Sequence, residues 1–429
     1  MQLLERLHDH LMQLSLEGET TWLLSATLSQ QMSAGLQALE MAGVYGPVRK
    51  DTALKGKLSV QWQSGLASST QLTRSMVAHP EQLIETLREL AFDDPFAAII
   101  PEPECPACVP VFDEAIASRI NSPATEFFSS LFKCRKTFQA LNTRNCAATV
   151  SYHKTSSFIA SSKGLYTRFN ATEMDFGATA DSLFSVSAAS RRPLAPEDFD
   201  QRLAYLAEMV SIQRNRVSPS GTPAVVILLP SVALAFVDKY LLENLSAEKI
   251  HAGRSAFRCE DIDARTHRFH ETWSVIHDPC RFMHIGSYPM DGQGLAARRI
   301  PLIQNGVLMN GDVSLKGARL TGWPATPAAG ADSLILSGAF KADLSDYIRT
   351  IEYGYLIPNV LGLHTQDSGR GDYSVAVPHG ILIQNGRMMG AAKGILTGNF
   401  FEDLSHEMTV LSSPYHDFTG LAFSGQVRF

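Results

Sequence analysis

The sequence predicts an α+β protein in which an amino-terminal α/β unit with a mixed sheet precedes a β-rich carboxy-terminal domain. In the amino-terminal part, apolar residues at helical spacing flank stretches that alternate as strands do. The pentapeptide Leu-Ile-Gln-Asn-Gly occurs twice, at residues 302–306 and 382–386, and Asn-Gly between apolar residues is the strongest short signal for a β-hairpin. A linker rich in Pro, Ser and Gly at residues 217–223 marks a boundary. We therefore expect domains or segments over residues 1–95, 96–215 and 216–429.

The composition is that of a globular protein with enough apolar residues for more than one core. A length of 429 residues suggests two or three domains, and 45% of the residues are hydrophobic while 19% are charged. The net charge of −6 argues against a nucleic-acid partner, which would require a basic patch. No run of about 18 apolar residues is present, so we expect no membrane association. The charged, amphipathic amino terminus is unlike a signal peptide, so we expect a cytoplasmic protein.

The amino-terminal domain is predicted to contain a helix, several strands and a second helix. Leucines at helical spacing predict the first helix over residues 1–16. Residues 20–41 and 58–62 alternate in polarity and predict strands. Pro80, at the favoured first helical position, begins the second helix, and a connector over residues 92–111 follows it.

The middle segment and the start of the carboxy-terminal domain continue this alternation of helices and strands. A short helix is predicted over residues 113–118, strands across residues 147–176, and a longer helix from Pro196 onward. After the linker, the short apolar run at residues 225–229 predicts a buried strand. A helix over residues 231–245 follows, with its first serine as the expected cap.

The six cysteines are too few for a disulfide framework in a chain of this length. Cys105 and Cys108 form a C-x-x-C pair, but they lie in a Pro-rich connector, whereas a redox pair begins a helix after a strand. A zinc knuckle would need a second pair, and Cys134 with Cys146 has the wrong spacing. We therefore expect an incidental loop pair.

An ordered series of short motifs follows in the carboxy-terminal domain. Asp291-Gly-Gln-Gly and the pair Arg298-Arg299 precede the first Asn-Gly hairpin. The rest of the series is Leu320-Thr-Gly-Trp, a predicted short helix over residues 342–353, Gly371-Asp-Tyr-Ser, the second Asn-Gly hairpin, and Leu396-Thr-Gly-Asn with a short helix. In order and spacing, the last third of the chain resembles the carboxy-terminal region of the TldD/PmbA family. Two features depart from the family pattern, because Gln replaces Glu in both hairpins and Arg370 stands where the family usually has Thr or a similar residue.

The resemblance implies a role in a heteromeric zinc metallopeptidase. Catalytic TldD-type subunits carry HExxxH on a helix, with a cysteine as a further ligand; two imidazoles one turn apart face a zinc ion, and the Glu acts on the metal-bound water. The matching helix here, at residues 231–244, contains no His and no Cys. The resemblance therefore implies a non-catalytic PmbA/TldE-type subunit without a cofactor of its own. Zinc is expected in a TldD-like partner, and the pair would hold an unfolded or precursor peptide.

A histidine-rich segment offers the alternative of an independent hydrolase in a biosynthetic pathway, acting through this segment or through an unrecognised site. It contains His267, His270, Glu271, His277 and His284, with two cysteines nearby. His270 and His277 are two helical turns apart, about 10 Å, which is too far for two ligands on one straight helix. The segment also alternates as a strand does, which places these two side chains on opposite faces. We therefore predict a strand with solvated or hydrogen-bonded histidines.

The candidate site is the glycine-rich segment at residues 364–374. Ordering glycines costs conformational entropy, so something is expected to hold this loop. A plain turn, in which Asp372 bonds nearby backbone amides, is one interpretation. The family pattern instead implies that the loop lines a cleft shared with the partner, where Arg370 would meet a carboxylate in a bidentate pair. The candidate substrate- or partner-binding residues are His364, Asp367, Arg370, Asp372 and Ser374, with Arg299 and Asn305 from the first hairpin.

Overall fold

The computed structural model describes residues 1–18, 20–38, 44–94, 96, 99–121, 125–220, 225–412 and 419–428. They form an amino-terminal half with one seven-stranded sheet and a carboxy-terminal half with sheets of eight and four strands. Helices pack on these largely antiparallel sheets, so the predicted α+β class is confirmed. Two predicted elements, the strand at 20–41 and the linker at 217–223, end outside the described residues.

The amino-terminal half runs from helix α1 to helix α6. Its helices are α1 (Gln2–Leu16), α2 (Arg74–Ala78), α3 (Pro80–Glu89), α4 (Glu114–Arg119), α5 (Thr125–Ala140) and α6 (Pro196–Arg214). Its strands are β1 (Thr20–Ala38), β2 (Val44–Tyr45), β3 (Arg49–Trp62), β4 (Ala67–Leu72), β5 (Cys146–Ser161), β6 (Tyr166–Ala180) and β7 (Phe184–Ser190).

The strands of this half form one antiparallel sheet in the order β4-β3-β1-β5-β6-β7, and β2 pairs with the end of β1. The sequence predicts a mixed sheet here, but every pair is antiparallel. Strand β1 pairs with β5 along most of its length, although β5 belongs to the predicted middle segment. The predicted boundary at residue 95 therefore divides one continuous sheet.

The long strands of this sheet have one apolar face and one polar face. Because successive side chains alternate across a strand, Val150 and Tyr152 lie on one face, and Ser151 and His153 lie on the other. The apolar face packs into a buried core with side chains from α4, α5 and α6. The polar face is left to form one wall of a cleft.

Helix α5 and strand β7 are absent from the sequence predictions. Helix α5 buries Phe127, Leu131 and Phe138, which have helical spacing. Phe128 and Phe132 on the same helix are exposed, so aromatic residues lie on both faces and weaken the amphipathic signal. Strand β7 is a short, small-residue edge strand, which gives little pattern to detect.

The carboxy-terminal half begins at strand β8. Its helices are α7 (Pro230–Phe236), α8 (Glu243–Leu245), α9 (Ala247–His251), α10 (Cys259–Asp263), α11 (Leu315–Thr321), α12 (Leu344–Thr350) and α13 (Phe400–Asp403), and a π-helical turn (Val237–Leu242) joins α7 to α8. Short 3₁₀ turns lie at Ala331–Ser333 and Leu363–Thr365. Its strands are β8 (Val225–Leu228), β9 (Ser274–His277), β10 (Ile300–Gln304), β11 (Val307–Leu308), β12 (Leu334–Ser337), β13 (Phe340–Asp343), β14 (Tyr353–Ile357), β15 (Asp372–Gln384), β16 (Arg387–Asn399), β17 (Thr409–Ser412), β18 (Gly420–Phe423) and β19 (Gln426–Arg428).

The larger carboxy-terminal sheet has the order β13-β17-β18-β8-β14-β15-β16-β19, and the smaller has the order β11-β10-β9-β12. Two pairs of the larger sheet, β13 with β17 and β8 with β14, are parallel, so the mixed pairing lies in this half. Ile227 and Leu356 of this sheet share a core with Leu206 and Val210 of α6. The two halves are therefore packed together rather than joined by a linker alone.

Both predicted Asn-Gly hairpins are confirmed. Strands β10 and β11 are joined by Asn305 and Gly306, with φ of 49° and 76°, and β15 and β16 are joined by Asn385 and Gly386, with φ of 50° and 72°. Positive φ at both central residues is the geometry of a type I′ turn, which matches the twist of the flanking strands.

Three predicted elements differ in extent from those in the structure. The helix predicted from Ser231 begins at Pro230, and Ser231 does not act as a cap because Leu229 occupies the capping position. The helix predicted over residues 342–353 is α12 alone, since the preceding residues form β13 and Asp343 caps the helix. The strand predicted over residues 268–277 is only β9, because the first six residues form turns. Across the described residues, none of the helices combines the length and apolar character that a membrane crossing requires.

Candidate functional site

A cleft of about 430 Å³ lies between the polar face of the amino-terminal sheet and the carboxy-terminal half. Strands β5 and β6 contribute Thr155, Ser157 and Glu173 to one wall. The opposite wall includes Ser287 and Tyr288 from the loop before β10. A second space of about 220 Å³ continues over β1 and β3 and shares Gly292 with the first, so the cleft extends across the sheet.

Arg191, immediately after β7, joins the two walls of this cleft. Its guanidinium donates to the backbone carbonyl of Thr172 in β6 and to the carbonyls of Ile285 and Ser287 in the carboxy-terminal half. Burial lowers the pKa of Arg191, whose side chain is only 12% exposed. Because a guanidinium carries five N–H donors, one side chain satisfies carbonyl groups from both halves. Arg191 therefore fixes the position of the loop against the sheet.

Glu173 and Asp175 place two carboxylates on the polar face of β6. They are two residues apart, so they lie on the same side of the strand, and His153 lies opposite Glu173 on β5. Burial and the negative charge of Asp175 raise the pKa of Glu173 to about 7. His153 Nε2 is 2.9 Å from Asp175 Oδ2, and this hydrogen bond raises the pKa of His153. Glu173 therefore exchanges its proton near neutral pH.

The opposite wall contains buried polar groups that are committed to holding the loop. Asp291 accepts hydrogen bonds from the backbone amides of Gln293, Leu295 and Ala328, and burial raises the pKa of its carboxyl. The hydroxyl of Tyr288 donates to the carbonyl of Ala328, and burial raises its pKa. The Asp-Gly-rich motif therefore organises the loop before β10, and its carboxylate is already occupied.

Ser287 is the exception among the polar groups of this wall. It lines the cleft and is 1% exposed, and its hydroxyl has no hydrogen-bond partner within the described residues. Buried hydroxyls are nearly always paired, so this unpaired hydroxyl is an exception among the buried polar groups of the described residues.

The predicted loop at residues 364–374 is held to the helix that precedes it. Asn244, which is 1% exposed, donates to the carbonyls of Tyr240 and Ser368 and accepts from the amide of Ala256. The hydroxyl of Tyr240 donates to the carbonyl of Asp372. The expectation that something orders this glycine-rich loop is met by these bonds, which sequence reasoning did not identify.

The candidate residues of the loop are exposed. His364, Asp367, Arg370, Asp372 and Ser374 all reach solvent. Asp372 accepts from the side-chain amide of Asn399 at 2.9 Å, so it does not make the backbone bond of the plain-turn interpretation. Asp367 makes that bond instead, to the amide of Gly369 at 2.9 Å. The Arg370 guanidinium has no hydrogen-bond or ion-pair partner within the part of the chain that the structure describes.

The two candidate residues of the first hairpin lie apart from the loop. Arg299 is exposed just before β10. Asn305 is exposed in the turn after β10, where its backbone amide donates to Ser274 Oγ. Over the described residues, no hydrogen bond or ion pair connects either residue to the 364–374 loop or to Glu173. Their proposed roles in binding stay predictions.

The histidine-rich segment does not form a metal site. In the described ranges, no three His, Cys, Asp or Glu side chains are arranged to hold a metal ion. His277 is bonded to Ser333 and Tyr288, and burial lowers its pKa to about 4. Burial likewise lowers the pKa of His284 to about 4, and its ring accepts from the amide of Gly286. The helix from Pro230 to Leu245 also offers no imidazole or thiolate, so the residues present do not fit a zinc ion.

Sequence reasoning missed Glu173, Arg191 and Ser287, which line the cleft, and His153, which lies opposite Glu173 on β5. The available signal is the alternation along Thr172-Glu-Met-Asp175, which puts two carboxylates on the polar face of a strand. The sequence alone does not show that His153 lies beside these two carboxylates, because that contact depends on the register between β5 and β6. Arg191 and Ser287 meet across the two halves of the molecule, which no local pattern predicts.

Comparison with known proteins identifies a family for the carboxy-terminal domain and similar folds for the whole chain. Residues 220–428 match the family model of the PmbA/TldA metallopeptidase C-terminal domain. An uncharacterized protein of Methanocaldococcus jannaschii is 27% identical over 216 residues, which cover 48% of this chain and 49% of that protein, so the chain spans about half the length of the relative it matches.

Solved structures show that the whole described fold is shared. TldE from Thermococcus kodakarensis has a TM-score of 0.80 at 16% identity, with 99% of this chain and 100% of that chain covered. A candidate modulator of DNA gyrase from Thermotoga maritima has a TM-score of 0.79 at 16% identity, with 99% of each chain covered. A candidate modulator of DNA gyrase from Bacteroides thetaiotaomicron has a TM-score of 0.76 at 15% identity, with 99% of this chain and 98% of that chain covered. The carboxy-terminal domain of this chain, residues 220–428, therefore matches the PmbA/TldA metallopeptidase C-terminal domain family, and the fold of the whole chain resembles that of these structures.

Proposed function

We propose that this chain is the TldE-like, non-catalytic subunit of a heteromeric zinc metallopeptidase that acts on unfolded or precursor peptides. The observation that carries the proposal is the helix after β8. The helix runs from Pro230 to Leu245 and contains no His or Cys, whereas the catalytic members of the family carry HExxxH at this place. The similarity in fold to TldE supports the same assignment.

The helix is built as a scaffold instead. Phe236 and Tyr240 pack against Tyr373 and Phe400, with ring centroids 5.1 to 6.2 Å apart. The π-helical turn that contains Tyr240 also brings the Tyr240 hydroxyl to the loop carbonyl of Asp372. Such turns are frequent at functional sites in helices. The proposed role of this helix is to position the 364–374 loop for contact with the partner or the peptide.

The sheet edge beside the cleft suits an extended peptide. Strand β7 pairs with β6 only from Met174 onward, so the earlier part of β6 has no strand partner on that side within the described residues. At Thr172 this edge is already occupied, because its amide donates to the carbonyl of Val111 and its carbonyl accepts from Arg191, so the part of β6 open to a peptide is residues 166–171. A peptide that adds to such an edge is held by main-chain hydrogen bonds and needs no particular sequence. This is the mode of binding we propose.

Measurements of zinc content and peptide hydrolysis test the proposal that the partner subunit, and not this chain, carries the zinc and the catalytic activity. The isolated chain is expected to hold no stoichiometric zinc and to cleave no peptide, and co-expression with a TldD-like HExxxH chain is expected to give a zinc-containing, active complex. Replacing the Glu of HExxxH by Gln in the partner should remove hydrolysis and preserve the complex. One tightly held zinc per isolated chain would overturn the proposal, above all if His270→Ala or His277→Ala removed it and the exposed His251→Ala did not.

A further inference from the structure

We propose that Arg216, His379 and Lys393 form a binding site for a phosphate group at the surface of the larger carboxy-terminal sheet. Arg216 follows helix α6, His379 lies at an irregularity in β15, and Lys393 lies on β16. None of the three residues lines the cleft between the halves. The site is therefore separate from the proposed peptide-binding role and does not depend on it.

A break in the pairing of β15 with β16 determines the position of His379. The register shifts between Val377 and Gly380, and Pro378 in this interval has no N–H to donate to the neighbouring strand. A Cβ at Gly380 would lie 2.1 Å from the ring of Tyr355, so glycine lets the chain pass over this ring. Bulges of this kind change the direction of a side chain. His379 is half-buried at the break, where it reaches solvent.

The segment that contains Arg216 is fixed on β16 by its backbone. The amide of Ala391 donates to the carbonyl of Asn215, and the amide of Val217 donates to the carbonyl of Ala391. A Cβ at Gly390 would lie 2.6 Å from the carbonyl oxygen of Asn215, so glycine permits this close approach. The backbone on both sides of Arg216 is therefore held in place, while its side chain is exposed.

The three side chains offer hydrogen-bond donors that are free to bind a ligand. Arg216 Nη1 lies 3.3 Å from His379 Nδ1. Because a guanidinium only donates, Nδ1 accepts, and the neutral ring carries its proton on Nε2. Lys393 is exposed and lies opposite the break, since its neighbours Ala392 and Gly394 pair with the residues that flank it. Within the described residues, His379 Nε2 has no hydrogen-bond partner, and neither Arg216 nor Lys393 forms an ion pair.

The charge of this cluster matches a phosphate group. Burial lowers the pKa of His379, and the positive charges of Arg216 and Lys393 lower it further, as expected for two cations close to the ring. Two cations held near each other repel, and an anion with nearly two negative charges offsets both. A phosphate ester carries about this charge and three acceptor oxygens, which equals the number of donating side chains. A carboxylate has one charge and two oxygens in a plane, so it matches the cluster less well.

Calorimetric titration of the isolated chain with inorganic phosphate tests the proposal, at neutral pH and constant ionic strength in chloride. We expect one phosphate to bind per chain. Arg216→Gln and Lys393→Gln should each weaken binding about tenfold or more, as expected for the loss of a charge-assisted hydrogen bond. Arg387→Gln is the matched control, because Arg387 is also exposed on β16 but lies six residues before Lys393, about 20 Å along the strand. This variant should bind phosphate as the wild type does.

Nuclear magnetic resonance provides a local measurement at the histidine. The ring resonances of His379 are those that disappear in His379→Gln. Addition of phosphate should shift these resonances in the wild type and in Arg387→Gln, and the shift should be largely lost in Lys393→Gln. Thermal melting of each variant shows whether it is folded, so a loss of binding is not mistaken for unfolding.

Two peptides distinguish the possible sources of the phosphate group. One is an acetylated peptide amide with a single phosphoserine, and the other is the same peptide with serine. Tighter binding of the phosphopeptide than of inorganic phosphate supports a phosphorylated chain as the ligand, whereas equal or weaker binding supports phosphate or a small phosphorylated molecule. No saturable binding of either phosphate probe overturns the proposal. Equal binding of acetate, or the same loss of binding in Arg387→Gln as in Lys393→Gln, also overturns it, because either result would reflect general attraction of anions to a basic surface.

Discussion

At the residue scale, the protonation of Glu173 makes the charge of the cleft depend on pH. Its carboxyl lies beside Asp175 in a half-buried position, so the folded protein keeps its proton to a higher pH than the unfolded chain does. A pKa of about 7 in the folded state compares with about 4.3 for an ordinary Glu. The folded state therefore binds more protons between these values, and the stability that this group contributes falls as pH rises through that window.

Glu173→Gln is expected to stabilise the protein at pH 8 and to have little effect at pH 4. The variant carries no charge to desolvate, and at pH 4 the wild-type carboxyl is protonated in the folded state and largely protonated in the unfolded state. The measurement is the difference in Tm between variant and wild type across pH 4 to 8. A difference that does not change with pH would contradict the raised pKa.

Arg191 connects the halves of the molecule through one side chain, and its replacement is expected to loosen them. Arg191→Lys offers three donors in a different geometry, so at least one buried carbonyl would lose its partner, at a cost of about 1–3 kcal/mol. We expect Tm to fall by roughly 2–4 °C. Arg192→Lys is the matched control, because Arg192 is exposed and contacts the ring of Phe282 at the surface. Equal melting of the two variants would show that Arg191 does not hold the cleft together.

At the scale of elements, the 364–374 loop depends on the helix beneath it. Asn244→Ala removes the bond donated to Ser368 and the bond accepted from Ala256, which tie the helix to these segments, and also the bond donated to Tyr240 on the helix itself. The loop contains Arg370, so trypsin cleavage after Arg370 reports its opening. We expect cleavage to accelerate about tenfold or more in Asn244→Ala, since lost buried hydrogen bonds of this kind are worth about 1–3 kcal/mol. Ser231→Ala on the same helix should cleave as the wild type does, because Ser231 makes no capping bond.

The exposed guanidinium of Arg370 is expected to contribute to the assembled complex rather than to folding. Arg370→Lys should lower peptide hydrolysis by the complex by roughly tenfold, since Lys cannot reproduce a bidentate pair with a carboxylate. Each chain should melt at its wild-type temperature. Arg387→Lys, at the start of β16, is a control with similar exposure. Full activity of the complex with Arg370→Ala would contradict a binding role for this segment and favour the plain-turn interpretation.

The elements also show what local sequence can and cannot predict. Both Asn-Gly hairpins and the helix at Pro80 follow from the conformations of two or three residues, so the sequence identifies them. The sheet formed by β1 and β5 depends on contacts more than a hundred residues apart, and neither composition nor periodicity specifies such a partner. The glycine-rich loop at residues 364–374 could likewise be recognised from local sequence, as the hairpins could. The cleft was missed because Glu173, Arg191 and Ser287 come together only through tertiary structure.

At the scale of the whole molecule, the two halves form one packed body that exposes the candidate loop at residues 364–374. Core residues from both halves share one cluster, and Arg191 bridges the cleft between them. This arrangement favours a rigid surface for a partner over a hinge that closes on its own. The 364–374 segment runs into the start of β15 and is preceded by Leu361, whose side chain is 61% exposed. Arginine is enriched in protein interfaces, and Leu361 adds exposed apolar surface to the segment that precedes Arg370 in the chain.

We therefore expect this chain to form a heteromeric complex with a TldD-like HExxxH chain, through an interface that includes Leu361. Permanent complexes bury roughly 2,000 Å² or more, and binding to the folded state alone raises its stability, so the complex should melt higher than the isolated chain. Size exclusion of the co-expressed pair measures assembly, and trypsin cleavage at Arg370 should slow when the partner is bound. Leu361→Arg is expected to weaken assembly, because a charge would be buried without a partner. Leu16→Arg is the matched control, since Leu16 is 83% exposed at the end of α1 and distant in sequence from the loop. Separate elution of two stable, active species, or the same loss from both variants, would contradict this interface.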